Sequence, residues 1–581
     1  MKIYWFIVIS LFSFSGLASP KAELDALLKE SWAYHLNVNP IMATSYGADI
    51  PHDTMPDLSS EALAVQHEHY IQLWERLFKI DGSKLDRQDQ INYQVLDYFL
   101  RNNIDSYTIK EHYIPITSES SFYGNLAYLP RIHQFNHTQD YENYLARLEA
   151  FPHYFRQQVE WMQKGLKSGM SQPKVVLNGM LESLATFFSG DVTDSVYYQP
   201  FINMPDRISE QEQVSLRQTA QKVISERVFE AHRRLHLFLE KRYIPRTKKN
   251  IAVTSWPNGM EFYQNRVAHF TTTDMTIDEI HQLGLDEVAR IRAQMEVVIK
   301  ATEFEGSLSD FIHFLRTDEQ FYAKSEQELM YFAAHLSKLA DGKLPKLFSV
   351  LPRTPYTVEA VPASIAPKYT TGRYISPSNE TEPGAYWVNT YQLDKRPLYA
   401  LPALTLHEAV PGHHLQISLA SELENMPDIR RNQYISAFGE GWALYSEYLG
   451  VEVDYYTTHY QEFGRLSYEM WRAARLVVDT GMHAKGWSRQ RAIDFMLDNT
   501  ALSELNVKSE IDRYISWPAQ ALSYKIGELT IKRLRKQAQS ELGDKFDVRD
   551  FHQAVLEHGS VPLSVLEQNI DIYIKETQKS S

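Results

Sequence analysis

A short segment of the sequence concentrates side chains that can bind a metal ion. Residues 404–416 read LTLHEAVPGHHLQ, in which His407 and Glu408 are adjacent and His413 and His414 follow. Two histidines around a glutamate are typical of zinc sites, where the imidazoles bind the ion and the glutamate acts as a base. In the regular His-Glu-x-x-His motif the histidines are four residues apart, but here a proline stands at that position. The segment therefore predicts a metal site with altered spacing.

The altered spacing requires a break in the helix. On a straight helix, His413 would lie about 9 Å and His414 about 10.5 Å along the axis from His407. Zinc–nitrogen bonds are ~2.1 Å long, so neither pair could share one ion on such a helix. Pro411 disfavours helical geometry in the residue before it, and Gly412 accepts backbone angles closed to other residues. We expect a break here that returns His413 or His414 to the site.

A third ligand is expected from a second helix. Residues 438–448 read FGEGWALYSEY and contain Glu440 and Glu447. These two carboxylates would be about two helical turns, ~10 Å, apart, so only one can bind the ion directly. Glu440 is preferred, because Gly439 and Gly441 beside it permit close backbone packing. Glu447 could then orient a ligand histidine.

Composition narrows the function classes. The chain has 581 residues, of which 44% are apolar and 23% charged, as in ordinary globular proteins. The net charge of −14 argues against non-specific nucleic-acid binding, which needs Lys and Arg to displace counterions. The absence of cysteine excludes disulfides, thiolate metal sites, cysteine nucleophiles and a lipid-modified N-terminal cysteine.

The first residues predict a secretory signal peptide, 1–18. Lys2 gives the positive start, residues 3–14 are mostly apolar, and Gly16 and Ala18 are small residues before a cleavage point. The apolar run is shorter than the ~20 residues of a spanning helix, and no second run of that length follows. We expect a secreted protein, periplasmic in a Gram-negative cell, without stable membrane insertion.

The remaining chain has mostly helical patterning. Residues 209–242 and 276–302 each begin with Ser or Thr followed three residues later by Glu, which predicts a capping box at each start. Proline and glycine cluster at 348–397, where 385–391 is rich in aromatic and β-branched residues and predicts a strand. We divide the chain at about residue 350, into a helical scaffold (19–350) and a metal-binding catalytic region (351–581) that share one core.

The sequence resembles the bacterial family called domain of unknown function 885 over most of the chain. The resemblance lies in five segments, HEAVPGHHLQ, FGEGWALYSEYLG, RLVVDTGMH, PAQALSYKIG and FHQAVLEHGSVPL. That family is similar to zinc peptidases of the gluzincin class. The resemblance implies a mainly α, large helical gluzincin-like peptidase fold, with a small β-sheet beside the active-site helix and one zinc ion.

The resemblance also implies which residues bind the ion. The run from Glu440 to Tyr445 is similar to the Asn-Glu-Gly-Phe-Ala-x-Tyr run of gluzincin aminopeptidases, whose glutamate is the third zinc ligand. The pair Gly412-His413 is similar to the Gly-His of the oligopeptidase motif His-Glu-Phe-Gly-His. The implied ligands are therefore His407, His413 and Glu440, although the motif is two residues longer than in gluzincins.

Such a site predicts metal-assisted hydrolysis with Glu408 as general base. The oxyanion formed in the attack needs a hydrogen-bonding or positive partner. The candidates are two catalytic tyrosines, Tyr524 and Tyr514, and two substrate-binding residues, Arg513 and His483. The predicted strand before the motif helix could bind an extended peptide backbone by strand addition through Asn389 and Tyr391.

We therefore predict a secreted zinc-dependent metallopeptidase that hydrolyses oligopeptides, by either exo- or endo-action. A first alternative is an amidase of cell-wall peptides with the same metal chemistry. A second is a non-catalytic peptide-binding protein, against which Glu408 argues because a binding protein needs no base. Two imidazoles and a carboxylate suit zinc, and also manganese, cobalt or iron. The sequence carries no indication of an oligomeric state.

Overall fold

The protein is described by a computed structural model, which covers residues 19–363, 365–377 and 381–579. The predicted signal peptide, 1–18, lies outside the described residues. The helices before residue 350 are α1 (Pro20–Val38), α2 (Pro40–Ser45), α3 (Ser60–Phe78), α4 (Arg87–Thr108), α5 (Phe122–Asn125), α6 (Leu129–Ile132), α7 (Thr138–Ser168), α8 (Met180–Ala185), α9 (Glu210–Val223), α10 (Phe229–Phe238), α11 (Gly259–Thr271), α12 (Ile277–Ala301), α13 (Leu308–Thr317) and α14 (Glu326–Asp341).

The elements after residue 350 begin with a small sheet. Its strands are β1 (Tyr356–Ala360), β2 (Gly372–Ile375) and β3 (Gly384–Val388). The helices that follow are α15 (Leu401–Glu408), α16 (His413–Ser421), α17 (Asp428–Arg431), α18 (Ser436–Glu452), α19 (His459–Ala484), α20 (Arg489–Asn499), α21 (Glu504–Ser516), α22 (Ser523–Leu542), α23 (Val548–Leu556) and α24 (Leu563–Lys579). The prediction of a mainly α fold with a small sheet is confirmed.

Both long helices predicted from capping boxes are present. The Ser209 hydroxyl accepts from the Glu212 N–H, and the Glu212 carboxylate accepts from the Ser209 N–H, at the start of α9. Thr276 and Glu279 cap α12 in the same way. The helix predicted over 209–242 is continuous but contains two π-helical segments, Ile224–Val228 and Leu239–Tyr243, on either side of α10.

Helix α19 is the central element of the core. Its side chains are buried without interruption from Phe463 to His483. Helix α12 packs closely along it, since a Cβ on Gly284 would lie 2.7 Å from the Leu476 Cβ. One cluster of buried apolar side chains includes members as distant in sequence as Ile91 and Ile574. Within the described residues, no helix has both the length and the apolar character needed to cross a bilayer.

The sheet has the strand order β1-β3-β2, with β1 parallel and β2 antiparallel to β3. The predicted strand at 385–391 is confirmed over its first four residues, 385–388. The expectation that this strand receives a peptide by strand addition is wrong, because β1 and β2 occupy both of its edges. Within the described residues, β1 and β2 are the two edge strands of the sheet, and β2 is the edge strand that contacts α15.

Candidate metal centre

The helix that carries the histidines breaks where the sequence predicts. Helix α15 ends at Glu408, and α16 begins at His413 after a cis peptide bond between residues 410 and 411. A Cβ on Gly412 would overlap the carbonyl oxygen of His407. Glycine is required here for this close approach and not for a left-handed backbone, because its φ is −75°. The Pro411 carbonyl accepts from the Trp442 indole N–H at 2.8 Å, which ties the break to α18.

Three side chains from α15, α16 and α18 meet at one point. His407, His413 and Glu440 each offer a ligand atom, and these atoms lie within 4.8 Å of one another. Glu440 Oε2 is 3.6 Å from His407 Nε2 and 3.4 Å from His413 Nε2. Ligand atoms held tetrahedrally at ~2.1 Å from one ion lie about 3.4 Å apart. The three side chains therefore fit a small divalent ion such as zinc.

Glu447 lies on the opposite side of the His407 ring. Its Oε1 is 2.8 Å from His407 Nδ1 and 3.2 Å from a guanidinium nitrogen of Arg472. This contact assigns the imidazole proton to Nδ1 and leaves the Nε2 lone pair directed at Glu440. The structure thus places Glu440 with the ligand atoms and Glu447 as the residue that orients His407.

His414 is turned away from the ligand cluster. Its Nδ1 lies 3.1 Å from the Tyr374 hydroxyl and 3.3 Å from the Ser418 hydroxyl, and its ring packs 4.6 Å from the Tyr356 ring. Burial lowers the pKa of His414 to about 4, so this ring is neutral at physiological pH. Of the two adjacent histidines, the structure brings His413 to Glu440.

Carboxylates predominate around the ligand cluster, and their charge favours a proton or a metal cation at His407. Burial opposes the charged form of His407, yet hydrogen bonds with Glu440 and Glu447 raise the pKa of this imidazole to about 9. Burial would raise the pKa of Glu440, but the charges and hydrogen bonds of His413 and His407 hold it well below its usual value. Imidazoles that bind a metal are neutral, and in that state the carboxylates of Glu408, Glu440 and Glu447 outnumber the Arg472 guanidinium beside them. A divalent cation would balance them.

Glu408 is held at the end of α15 beside its neighbour His407. Its side chain is buried, and Oε2 accepts from the Tyr374 N–H of β2 at 2.8 Å. This hydrogen bond comes from the outward edge of β2 and fixes the carboxylate between the sheet and the ligand cluster. The position suits a base that acts on a water beside a bound ion.

Two tyrosines contact the ligand cluster. Tyr524, at the start of α22, stacks on His407 with ring centroids 6.3 Å apart and planes inclined by 16°. Tyr434, which precedes α18, has its hydroxyl within hydrogen-bonding reach of Glu440, and sequence reasoning missed it. The only sequence signal nearby is Gly439, where a Cβ would overlap the Tyr434 ring.

Close helix packing brings Tyr524 and Glu440 together. A Cβ on Gly527 of α22 would overlap the Ala437 carbonyl oxygen of α18. A Cβ on Gly441 would in turn meet the backbone of Gly527. The two backbones touch at these glycines, which lie within three residues of Glu440 and Tyr524.

Three of the predicted site residues belong to internal hydrogen-bond networks. Tyr514 accepts from Arg475 at 2.7 Å and from the Trp471 indole at 2.9 Å. Both ring nitrogens of His483 contact backbone groups, the N–H of residue 253 and the carbonyl of residue 514. The Asn389 amide donates to three carbonyls of the 366–370 loop. The structure does not direct these side chains at the ligand cluster.

The other two predicted substrate-binding residues differ in exposure. Arg513 is 8% exposed, donates to Gln520 Oε1 at 2.6 Å and lies 3.3 Å from Glu119 Oε2. Tyr391, just beyond β3, is 39% exposed, and its N–H donates to the Asn389 side chain.

Comparison with known proteins identifies relatives without a described activity. The family described as "Bacterial protein of unknown function (DUF885)" matches residues 40–570. A solved structure of a candidate lipoprotein from Colwellia psychrerythraea is 28% identical, with a TM-score of 0.88 over 96% of this chain and 100% of that chain. One from Shewanella oneidensis, of unknown function, is 18% identical and shares the fold, with a TM-score of 0.70 over 95% and 99% of the two chains. No curated protein matches the sequence.

Proposed function

The chain belongs to the DUF885 family of bacterial proteins of unknown function, and from the geometry of its own side chains we propose that it is a metal-dependent hydrolase of peptide bonds. The observation that carries the proposal is the spacing of His407, His413 and Glu440, with Glu408 adjacent. Two imidazoles and one carboxylate are the ligand set of gluzincin-type hydrolases and suit zinc.

The reaction follows from the positions of the side chains. A bound divalent ion would polarise the substrate carbonyl and lower the pKa of a nearby water. Glu408 accepts a proton from the attacking water and passes it to the nitrogen of the breaking C–N bond, so the products are a carboxylate and an amine. The Tyr524 hydroxyl is the candidate donor to the developing oxyanion, because its ring stacks on His407. Together with the signal-like residues 1–18, this supports peptide hydrolysis outside the cytoplasm.

Glu408→Gln tests the proposal. The amide keeps an oxygen for the Tyr374 N–H but cannot accept the proton, so we expect the zinc-loaded variant to lose at least about 1,000-fold in kcat on a mixed peptide library. Zinc content should stay at one equivalent. Glu424→Gln, an exposed change in the turn after α16, is the matched control and should leave both quantities unchanged.

Other outcomes would contradict the proposal in distinct ways. If the zinc-loaded protein binds peptides and cleaves none, it is a peptide-binding protein. If it cleaves only cell-wall peptides, it is the amidase. Undiminished cleavage by the Glu408→Gln variant would remove the assigned base.

A further inference from the structure

A second group of charged side chains lies beside the ligand cluster, on the other face of the sheet. Successive residues of a strand alternate between faces. Tyr374 and Tyr386 contact His414 of α16 and Thr405 of α15, so their face covers the metal-binding helices. Arg373, adjacent to Tyr374, therefore projects from the opposite face.

The segment around residues 119–131 lies over this opposite face. The Arg131 guanidinium is 6.0 Å from the ring of Trp387, the residue paired with Arg373. Arg373 itself is exposed, lies 5.5 Å from the Tyr369 ring and interacts electrostatically with Glu119. The Arg373 side chain thus faces the N-terminal part of the chain.

Arg513 shares its carboxylate neighbours with other arginines. Arg513 contacts Glu119 at 3.3 Å and Glu510 at 3.4 Å. Glu510 is already shared with Arg475, at 3.0 Å. Arg373 interacts with Glu119 and with Glu408. Of the two carboxylates near Arg513, Glu119 is therefore the one that is not already held by another buried arginine.

The contact between Arg513 and Glu119 can be exchanged. Arg513 is more than nine-tenths buried, and its Nε makes no hydrogen bond although Glu119 is close. The Glu119 side chain is 35% exposed and can turn toward solvent. A buried guanidinium is stabilised most by a carboxylate that accepts two hydrogen bonds from it, so Arg513 is suited to bind the carboxylate of a ligand.

Tyr524 links the arginines to the ligand cluster. Its ring stacks on His407, and the guanidinium of Arg475, which shares Glu510 with Arg513, lies 4.2 Å from the centroid of the same ring. The Tyr524 ring therefore lies between His407 and the Arg475 guanidinium. A peptide end bound by Arg373 and Arg513 would place the scissile bond within one or a few residues of that end.

We propose that Arg373 and Arg513 bind the free C-terminal carboxylate of a peptide, so that the protein removes short fragments from peptide C-termini. This inference rests on the proposed function and assigns its substrate class and direction. The carboxylate of the peptide end replaces that of Glu119 at Arg513.

Matched peptides test the inference. An N-acetylated peptide is prepared with either a free C-terminal carboxylate or a C-terminal amide. We expect the zinc-loaded wild type to cleave the acid about 10- to 100-fold better in kcat/KM, the range for losing a charged hydrogen bond. Arg373→Gln, an exposed position, should lower kcat/KM for the acid alone and bring the ratio toward one. Arg353→Gln, exposed and paired with Glu422, is the control and should leave the ratio unchanged.

A binding measurement separates this inference from the proposed function. Calorimetry with zinc-loaded Glu408→Gln protein compares the affinities of the acid and the amide. Tighter binding of the acid, lost in an added Arg373→Gln change, supports the carboxylate site even if no peptide is ever cleaved. Equal cleavage and equal binding of acid and amide would overturn it while leaving a hydrolase. If both N-acetylated peptides are inert and the same acid and amide without the acetyl group are bound and cleaved equally, recognition is N-terminal and the inference is overturned as well.

Discussion

The charges around His407 explain why these particular side chains are assembled. Glu447 holds one ring nitrogen and directs the other at Glu440, whose carboxylate sits between two imidazoles. Without a metal cation, a proton on His407 must offset the buried carboxylates, because uncompensated charge is costly in a protein interior. The residue types and the helix break were predictable from the sequence. The choice of His413 over His414 is made by the Tyr374 and Ser418 hydroxyls, which hold His414 away.

At this scale, Glu447→Gln tests how His407 is oriented. The amide is neutral and can present its NH₂ to Nδ1, so the tautomer with a free Nε2 is no longer enforced. We expect zinc affinity to fall about 10- to 100-fold, as measured by competition with a chelator. Glu452→Gln, on the same helix and paired with Arg535, is the control and should keep the wild-type affinity. An unchanged affinity in Glu447→Gln would contradict the assigned role.

At the scale of elements, close backbone contacts position the cluster. The carbonyl of His407 touches Gly412, and α18 touches α22 through Gly441 and Gly527. The break at Pro411–Gly412 was predictable, because proline and glycine act on the local chain. The position of β3 in the middle of the sheet was not, because β1 and β2 are short strands in a region rich in proline and glycine. Strand order depends on contacts that the local sequence does not specify.

Gly527→Ala tests the contact between α18 and α22. The added methyl group would overlap the Ala437 carbonyl oxygen and separate the helices that carry Glu440 and Tyr524. We expect the free energy of unfolding to fall by about 2–3 kcal/mol and zinc affinity to fall with it. Gly82→Ala, where no atom lies within 4 Å of the added Cβ, is the control and should change neither. A fully stable Gly527→Ala protein that binds zinc normally would contradict this account.

At the scale of the whole molecule, buried polar groups satisfy one another across long sequence separations. Tyr514, His483 and Asn389 carry chemistry that suits a site, yet their partners are internal. The sequence reveals the functional groups but not the partners they meet after folding, so the chemistry of these three side chains does not by itself place them at the site. Arg513 is a candidate from the sequence, but its neighbours Glu119 and Arg373 are not, because the three residues come from distant segments.

Asp479 provides a test at this scale, because its hydrogen bonds join α19 to residues that are distant in sequence. Its carboxylate accepts from the Tyr263 hydroxyl at 2.5 Å and from the Ala519 N–H at 3.2 Å. Burial raises the pKa of Asp479 to about 7, and these hydrogen bonds only partly oppose the rise. The folded protein keeps this proton up to about pH 7, whereas the unfolded chain loses it near the ordinary aspartate pKa of about 3.9. The stability contributed by the protonated group is therefore present at low pH and lost as pH rises toward 7.

Asp479→Asn should remove this loss, because an amide does not ionise. We expect the Tm of the variant, relative to that of the wild type, to be higher at pH 8 than at pH 4.5. The corresponding change in the free energy of unfolding is at most ~4 kcal/mol, because each unit of difference in pKa between the folded and unfolded protein contributes about 1.4 kcal/mol. Asp494→Asn, an exposed change on α20, serves as the control. A Tm difference that is the same at both pH values would show that Asp479 is ionised in the folded protein.

The central claim is that His407, His413 and Glu440 share one divalent ion, and anomalous X-ray diffraction at the zinc edge tests it most directly. Crystals of zinc-loaded protein should show one strong anomalous peak about 2.1 Å from His407 Nε2, His413 Nε2 and a Glu440 oxygen. A peak at His414 or Glu447 instead, or none among these side chains, would contradict the account.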